Sequence, residues 1–532
     1  MAPSHALDTL IDIKEASRWA SDFLNREISP TNISYLIQYG KIKKYGENGS
    51  IQIDINDLKQ YYQSFNIQRE FEWKQRLGSD LNWALSFDYL KEKDTTKHVH
   101  RLHPYKGKFI PQLVEYFLDN HIDEFKREVF FNEGDIILDP FSGSGTTLIQ
   151  AHELGIHSIG IDISRFNCMI TKSKIADYDI HLLSTEIKNI TQKIKYFETK
   201  SEINAFEKEL SEKLSDFNNK FFPSPQFKRE VYTQQVNETT FGQEKEAEFL
   251  SIYNSLIKKY HIKLKQEKDY SFLDKRYIKN TRDEIDFIFE EIKKIKNTQV
   301  KELLAIILSR TIRSCRATTH SDLTTLKKPQ LTTYYCFKHK KICKPLFSIK
   351  HRFLRYASDT LERIKTFSAL KTNTFGAVIC ADSRDVNIFK EIHSLNPLFS
   401  KILEKQKIRG IFSSPPYVGQ IDYHEQHAYA YDLFSFERKD EFEIGPLYKG
   451  QGVAARESYI EGVVQVLLNA RKFMVDDFDV FLVANDKRNL YPKIAEKAGM
   501  KIINQYKRPV LNRAERDKNP YSEIIFHFKS NQ

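Results

Sequence analysis

The chain has 532 residues, 40% hydrophobic and 29% charged, with a formal net charge of +11 and a pI near 9.0. Its length allows roughly two to four domains, no apolar run approaches the ~18 residues of a membrane span, and the N-terminus lacks the apolar core of a signal peptide, so a cytoplasmic protein is expected. Five cysteines exclude a disulfide framework and fit a reducing compartment, while the basic balance suits a polyanionic partner such as nucleic acid.

Residues 1–66 read as a separate small module. In TLIDIKEASRWASDFL, Ile13, Ala16, Trp19, Ala20 and Phe23 fall near one face of a helix. In REISPTNISYLIQYG, Ser29 is placed as N-cap, Pro30 as first helical residue and Gly40 as the stop. KIKKYGENGSIQIDI alternates on both sides of Asn48-Gly49, a two-residue hairpin signal, and DLKQYYQSF closes the unit as a third helix. This order resembles the winged helix-turn-helix of MerR- and excisionase-type DNA binders, which implies a DNA-binding role.

Residues 67–168 change pattern. FIPQLVEYFLDNHIDEF has helical spacing, DIILD is a buried strand, TTLIQAHELG a helix and HSIGIDIS another strand. That is the opening of a doubly wound α/β sheet. From 169 to 370 the sheet pattern is lost, and polar helical segments with interleaved basic and aromatic residues suggest an insertion, read either as a solvated helical subdomain or as a DNA-contacting, target-reading region. Over 371–532 the strands resume in FGAVICADSRD, KIRGIFSSPPY and DDFDVFLVAND, and KIINQYKRPVLNR with SEIIFHFK forms a terminal antiparallel pair.

Two stretches carry chemistry. The first is Asp139-Pro140-Phe141-Ser142-Gly143-Ser144-Gly145-Thr146-Thr147, a strand running through a glycine turn into a helix. Such a turn faces backbone N–H groups toward a ligand. Asp162, 23 positions after Asp139 at the end of the next strand, is placed to accept hydrogen bonds from ribose hydroxyls. The spacing is not G-x-G-x-x-G, and Asp139 would repel a pyrophosphate. A ligand with a ribose, a cationic amino-acid end and no phosphate fits better, and S-adenosylmethionine has those features. On this reading Asp139 meets its ammonium group and the amides of Gly143 to Thr146 meet its carboxylate.

The second is Ser413-Ser414-Pro415-Pro416-Tyr417. Two prolines fix φ and remove backbone donors, so they make a stiff corner after a strand. An exocyclic base amine is a poor nucleophile because its lone pair is delocalised. Two rigid acceptors on its N–H groups, Ser414 Oγ and the Pro415 carbonyl, would localise that lone pair, and preorganisation favours the transition state. Tyr417 would stack on a base that has left the duplex.

DPFSGSGTT followed downstream by SPPY resembles the DNA amino-methyltransferase family, which methylates cytosine N4 or adenine N6. The resemblance implies a Rossmann-like S-adenosylmethionine-dependent methyltransferase sheet, here with a large helical insertion and an N-terminal winged helix-turn-helix. It also implies double-stranded DNA as substrate, a restriction–modification context and a cognate endonuclease as partner. The family's serine in the first position of SPPY favours cytosine N4. His103-Pro104-Tyr105-Lys106-Gly107-Lys108-Phe109 resembles the motif closing over the methionine end of the cofactor, bringing in Lys108 and Phe109. Asp382 stands where the family contacts adenine.

Weaker signals remain. Cys336, His339 and Cys343 have zinc-like spacing, with Cys315 or His320 as the fourth ligand. Cys168 and Cys380 read as core. Asp422, His424, Glu425 and His427 crowd the segment after the corner, where one acid or histidine is read as orienting the base or accepting a proton. Arg508, Arg513, Arg516 and Lys518 lie around the terminal hairpin, read either as phosphate contacts or as a solvated basic loop.

Overall fold

The structure, a computed structural model, describes residues 9–24, 28–38, 40–45, 51–198, 202–267, 270–318, 329–512 and 519–531. Its strands are β1 (Leu10–Asp12), β2 (Gln52–Asp54), β3 (Ile136–Asp139), β4 (His157–Asp162), β5 (Tyr334–Cys336), β6 (Lys341–Cys343), β7 (Gly376–Cys380), β8 (Ile408–Ser413), β9 (Met474–Ala484), β10 (Met500–Pro509) and β11 (Ser522–Ser530).

Seven strands form one sheet in the order β10-β11-β9-β8-β3-β4-β7. The five from β7 to β9 are parallel. β11 pairs antiparallel with both β9 and β10, the expected terminal pair. From β3 the chain moves outward to β4 and β7, then returns to the other side of β3 for β8 and β9. The order therefore reverses between β3 and β8, and the crevice at the carboxyl ends of such a pair is where open α/β sheets bind ligands. Asp139 ends β3 and Ser413 ends β8.

Both faces of these strands are buried, which explains their continuous apolar runs. Ile136, Leu138, Ile411, Val480 and Leu482 point into a core shared with Val463 and Leu467 of helix Val453–Arg471. The intervening Ile137, Phe412, Phe481 and Val483 point the other way, onto Leu113, Val114 and Phe117 of helix Pro111–Leu118.

The insertion is helical as expected, but it is not a detached, solvated subdomain. Helix Thr298–Ser314 is deeply buried, and its Leu304, Ile307 and Leu308 join the same core as Leu148, Phe166 and Val378. A satellite core of Phe206, Phe249, Tyr253 and Phe347 lies beside the β5–β6 hairpin.

At the N-terminus, helices Ile13–Phe23 and Pro30–Gln38 pack through Ala16, Ala20, Ile33 and Ile37 against Ile53 and Leu58. Asp12 caps the first helix by accepting the Glu15 N–H at 2.8 Å, and Ser29 caps the second from Asn32 N at 3.3 Å. Of the expected hairpin the described residues include a Tyr45–Gln52 bridge; its Asn48-Gly49 turn lies outside them. β2 pairs instead with β1. The third helix runs Ile55–Leu77, so the boundary expected at 66/67 falls inside a continuous helix. Lys41 sits over the Tyr232 ring at 5.1 Å, joining this module to the insertion.

Candidate active site

One cavity opens at the reversal point. Asp139, Pro140, Phe141, Gly143 and Thr146 from the glycine loop line it, as do Asp162, Asp382, Lys108 and Phe109. Ser414 and Pro416 of the proline corner line the same space. The two motifs, 274 positions apart at Asp139 and Ser413, are tied by the Ser413 hydroxyl, which donates to Asp139 Oδ1 at 2.5 Å. Of the remaining expected site residues, Gly145 stands behind the lining, Pro415 is buried in the corner, and Tyr417 lines a neighbouring cavity with Gln420, Arg456 and Asn485.

The glycine loop is bound up with its own neighbours. Gly143 has φ +48° and Gly145 φ +77°, conformations that disfavour any side chain. A Cβ on Gly145 would lie 2.5 Å from Thr171 Cγ2. Gly143 N donates to Asp162 Oδ2 at 2.8 Å, and Gly145 N to the Ser142 carbonyl at 2.7 Å. These two amides are thus used inside the protein, which corrects the expectation that they face a ligand carboxylate. What the loop does present is the Asp162 carboxylate, held also by Ser164 N at 2.8 Å and Asn167 Nδ2 at 3.1 Å.

Asp139 and Asp162 are both buried. Burial pushes each carboxyl up to about 6, although hydrogen bonds from Ser413 and Thr147 at Asp139, and from Ser164, Asn167 and Gly143 at Asp162, oppose the shift. Buried carboxylates of this kind favour a cation or hydroxyl donors. Lys108 is half-buried, its Nζ donating to the His100 carbonyl at 2.7 Å, and the desolvation of its ammonium draws its pKa down to about 8. Asp382 is gripped by Arg384, whose Nε donates to Oδ1 at 2.9 Å and to Oδ2 at 3.0 Å.

Beyond the corner, His424 lines the cavity and pairs through Nδ1 with Glu443. His427 is buried beside Tyr105 and His103, where burial lowers its pKa to about 3 and keeps the ring neutral. Glu425 faces solvent, paired with Arg438 at 2.9 Å. Tyr417 donates its phenol proton to Glu523 Oε1 at 2.8 Å.

A family model described as DNA methylase matches residues 31–173, which contain the glycine loop and Asp162. The type II methyltransferase M.MjaII of Methanocaldococcus jannaschii is 45% identical over 525 residues, covering 98% of this chain and 97% of that protein. This chain belongs to the DNA amino-methyltransferase family. Shorter similarities link the methylase to M.BsoBI of Geobacillus stearothermophilus, 39% identical over 101 residues, 19% of this chain and 18% of that one. Another links it to M.BamHI of Bacillus amyloliquefaciens, 46% identical over 48 residues, 9% and 11% of the two chains.

Several expectations about the methylase's outlying residues change. Cys336, His339 and Cys343 do converge, their ligand atoms within 4.8 Å of one another, but Cys315 is buried in the separate core around helix Thr298–Ser314, and His320 lies outside the described residues. Arg508 is only 3% exposed and pairs with Glu523, so it is not a phosphate contact; Arg513, Arg516 and Lys518 lie outside the described residues. Cys168 is buried as expected, whereas Cys380, at the end of β7, is exposed. Among the described residues no helix is long and apolar enough to cross a membrane.

The sequence reading missed Ser164, Asn167 and Glu443. The first two had a local signal, since Ser164 N-caps the helix that follows β4 and so had to stand beside Asp162. Glu443 lies 19 positions beyond His424 in a segment without regular pattern, and nothing local announces it.

Proposed function

We propose that the protein transfers a methyl group from S-adenosylmethionine to the exocyclic N4 of cytosine in double-stranded DNA, as the modification enzyme of a restriction–modification system with a cognate endonuclease. The observation that carries this reading is the meeting of the glycine loop and the Ser414 corner in one cavity. The sequence similarity to M.MjaII, itself described as a type II methyltransferase, supports the same reading.

S-adenosylmethionine supplies the electrophilic methyl group. Asp162 accepts the ribose hydroxyls, and Asp139 offers the ammonium group a buried negative charge. Lys108 and Phe109 close over the methionine end, Pro140 and Phe141 wall the loop, and Asp382 borders the adenine. Ser414 Oγ and the Pro415 carbonyl accept the two N–H bonds of the amine, so its lone pair is free to attack. Tyr417 stacks on the extruded base. The N-terminal module and the insertion supply DNA affinity.

The test is methyl incorporation from radiolabelled S-adenosylmethionine into unmethylated duplex DNA and into RNA. Label in DNA alone supports the reading. Label in RNA alone, or in neither, contradicts it, the latter leaving a DNA-binding regulator on a methyltransferase scaffold.

We also infer that the β5–β6 hairpin holds a structural zinc through Cys336, His339 and Cys343, with His320 as the remaining candidate for the fourth ligand that a closed site needs. Cys343 Sγ lies 3.5 Å from His339 Nδ1, close to the roughly 3.6 Å edge of a tetrahedral site with ordinary Zn–S and Zn–N bonds. Stoichiometric zinc in the purified protein and a lower melting temperature after chelation would bear this out; a metal-free protein insensitive to chelators would refute it.

A further inference from the structure

The proposed cofactor has one polar group that the two motifs leave unread, the exocyclic amine of its adenine. Telling adenine from other purines requires an acceptor for that amine's N–H groups. Asp382 follows β7, which pairs with the β4 strand that ends in Asp162, but its oxygens are already committed. Oδ1 accepts from Arg384 N at 3.0 Å and from Nε at 2.9 Å. Oδ2 accepts from the same Nε at 3.0 Å and from Nη2. A carboxylate offers about four lone-pair sites, and Arg384 takes them all.

The segment beside Asp382 supplies another carboxylate. Phe442, Glu443 and Ile444 line the cavity together with Ile163, Ala381 and Asp382. Arg384 Nη2 donates to the Phe442 carbonyl at 3.5 Å, which joins this segment to the turn after β7. The segment is also held by Gly419 N, which donates to the Gly445 carbonyl at 3.0 Å, and by Ile444, which packs on the core around helix Val453–Arg471. The Glu443 side chain is only 6% exposed. Its Oε1 takes both His424 donors, the backbone N at 3.1 Å and the ring Nδ1. Lys439 N donates to His424 Nε2 at 3.4 Å, so Nδ1 is the nitrogen that carries the proton. Among the described residues no donor reaches Glu443 Oε2, and a carboxylate oxygen so enclosed favours a ligand that donates to it.

We propose that Glu443 is the residue that selects an adenine cofactor: Oε2 accepts an N–H of the exocyclic amine while His424 holds Oε1. The assignment rests on the reading of the cavity as the S-adenosylmethionine site. Ile163, Phe442 and Ile444 supply the apolar surface for the ring, and the 44% exposure of Phe442 leaves an aromatic face to be covered. Asp382 then serves through Arg384 to seat the segment. A hypoxanthine in the same place would turn a carbonyl oxygen toward the Glu443 carboxylate, and two acceptors facing each other are both left unpaired.

The test is binding calorimetry of the full chain with S-adenosylhomocysteine and S-inosylhomocysteine, which present an amine and a carbonyl respectively. The wild type should bind the adenosyl compound about 100-fold or more tightly. In Glu443→Gln the amide oxygen stays with the His424 donors and the NH₂ group takes the place of Oε2. The preference should therefore fall by about 100-fold or invert. Glu443→Ala should weaken the adenosyl compound by about tenfold or more and leave the inosyl compound no weaker. A merely structural role for Glu443 would weaken both compounds alike. Equal affinity of the wild type for the two, or a preference untouched by both substitutions, overturns the assignment. A wild-type protein that binds neither contradicts the cofactor reading beneath it, so the two failures are told apart.

Discussion

The turns that follow β3 and β8 lie side by side at the reversal of the sheet, and they are built in opposite ways. The first is permissive backbone: two glycines at positive φ whose amides bond inward, to Asp162 and to the Ser142 carbonyl. It is bordered by two buried carboxylates, Asp139 at its start and Asp162 at the end of β4, which its Gly143 amide holds. The second is restrictive backbone, two prolines that can neither flex nor donate, and it sets Ser414 and Pro416 into the cavity wall. A cofactor of mixed shape and charge needs the first kind of site. A weakly nucleophilic amine needs the second, because what matters there is the angle at which acceptors are held.

If the two turns divide the labour in this way, damage to one should leave the other's task intact. The largest effect is expected from Ser414→Ala, which should lower the single-turnover rate by about 100-fold or more while S-adenosylmethionine binding, measured by calorimetry, stays within about twofold. The converse change, Asp162→Ala, should weaken cofactor binding by about 10- to 100-fold, with the rate at saturating cofactor largely restored. It should also lower the melting temperature, because the Gly143, Ser164 and Asn167 donors lose their common acceptor. A smaller, purely mechanical effect is expected of Gly145→Ala. Its Cβ would press on Thr171 at 2.5 Å in a left-handed conformation, costing about 1–3 kcal/mol of stability, readable as a shifted denaturant midpoint.

The smallest expected effect concerns pH. Burial holds Asp139 and Asp162 at about 6 in the free protein, above their ordinary 3.8. Between about pH 4 and 6 the native state therefore binds more protons than the unfolded chain, so the contribution of these groups to stability falls as pH rises through that window. Cofactor binding has the opposite slope, since the ammonium and hydroxyl donors favour ionised carboxylates. Affinity for S-adenosylmethionine should fall by about tenfold between pH 7 and 5, and binding calorimetry across that range reads it directly. A flat profile would remove charge delivery as the distinguishing property of the first turn.

Local pattern carried much of this architecture in the sequence. DIILD, HSIGIDIS and FGAVICADSRD read as strands because buried parallel strands are apolar on both faces, and the two motifs named the cavity wall because each is a continuous stretch. What stayed illegible was non-local. Helix Thr298–Ser314 is apolar enough to be seen as buried, yet nothing in it says that it packs on Phe166 and Val378 rather than within its own subdomain. Arg508 reads as a surface cation until the β10–β11 register sets Glu523 opposite it. The amides of Gly143 and Gly145 look free in the motif and are found bonded in the fold. Cys315 shares a spacing with the zinc-like group and not its place.

The measurement that bears most directly on the joined turns is nucleoside mass spectrometry of unmethylated duplex DNA after incubation with the protein and S-adenosylmethionine. The expected product is N4-methylcytosine, absent when Ser414 is alanine. N6-methyladenine would retain the amine corner and contradict the assignment of cytosine. A methylated product formed equally well by Ser414→Ala would contradict the division of labour between the two turns.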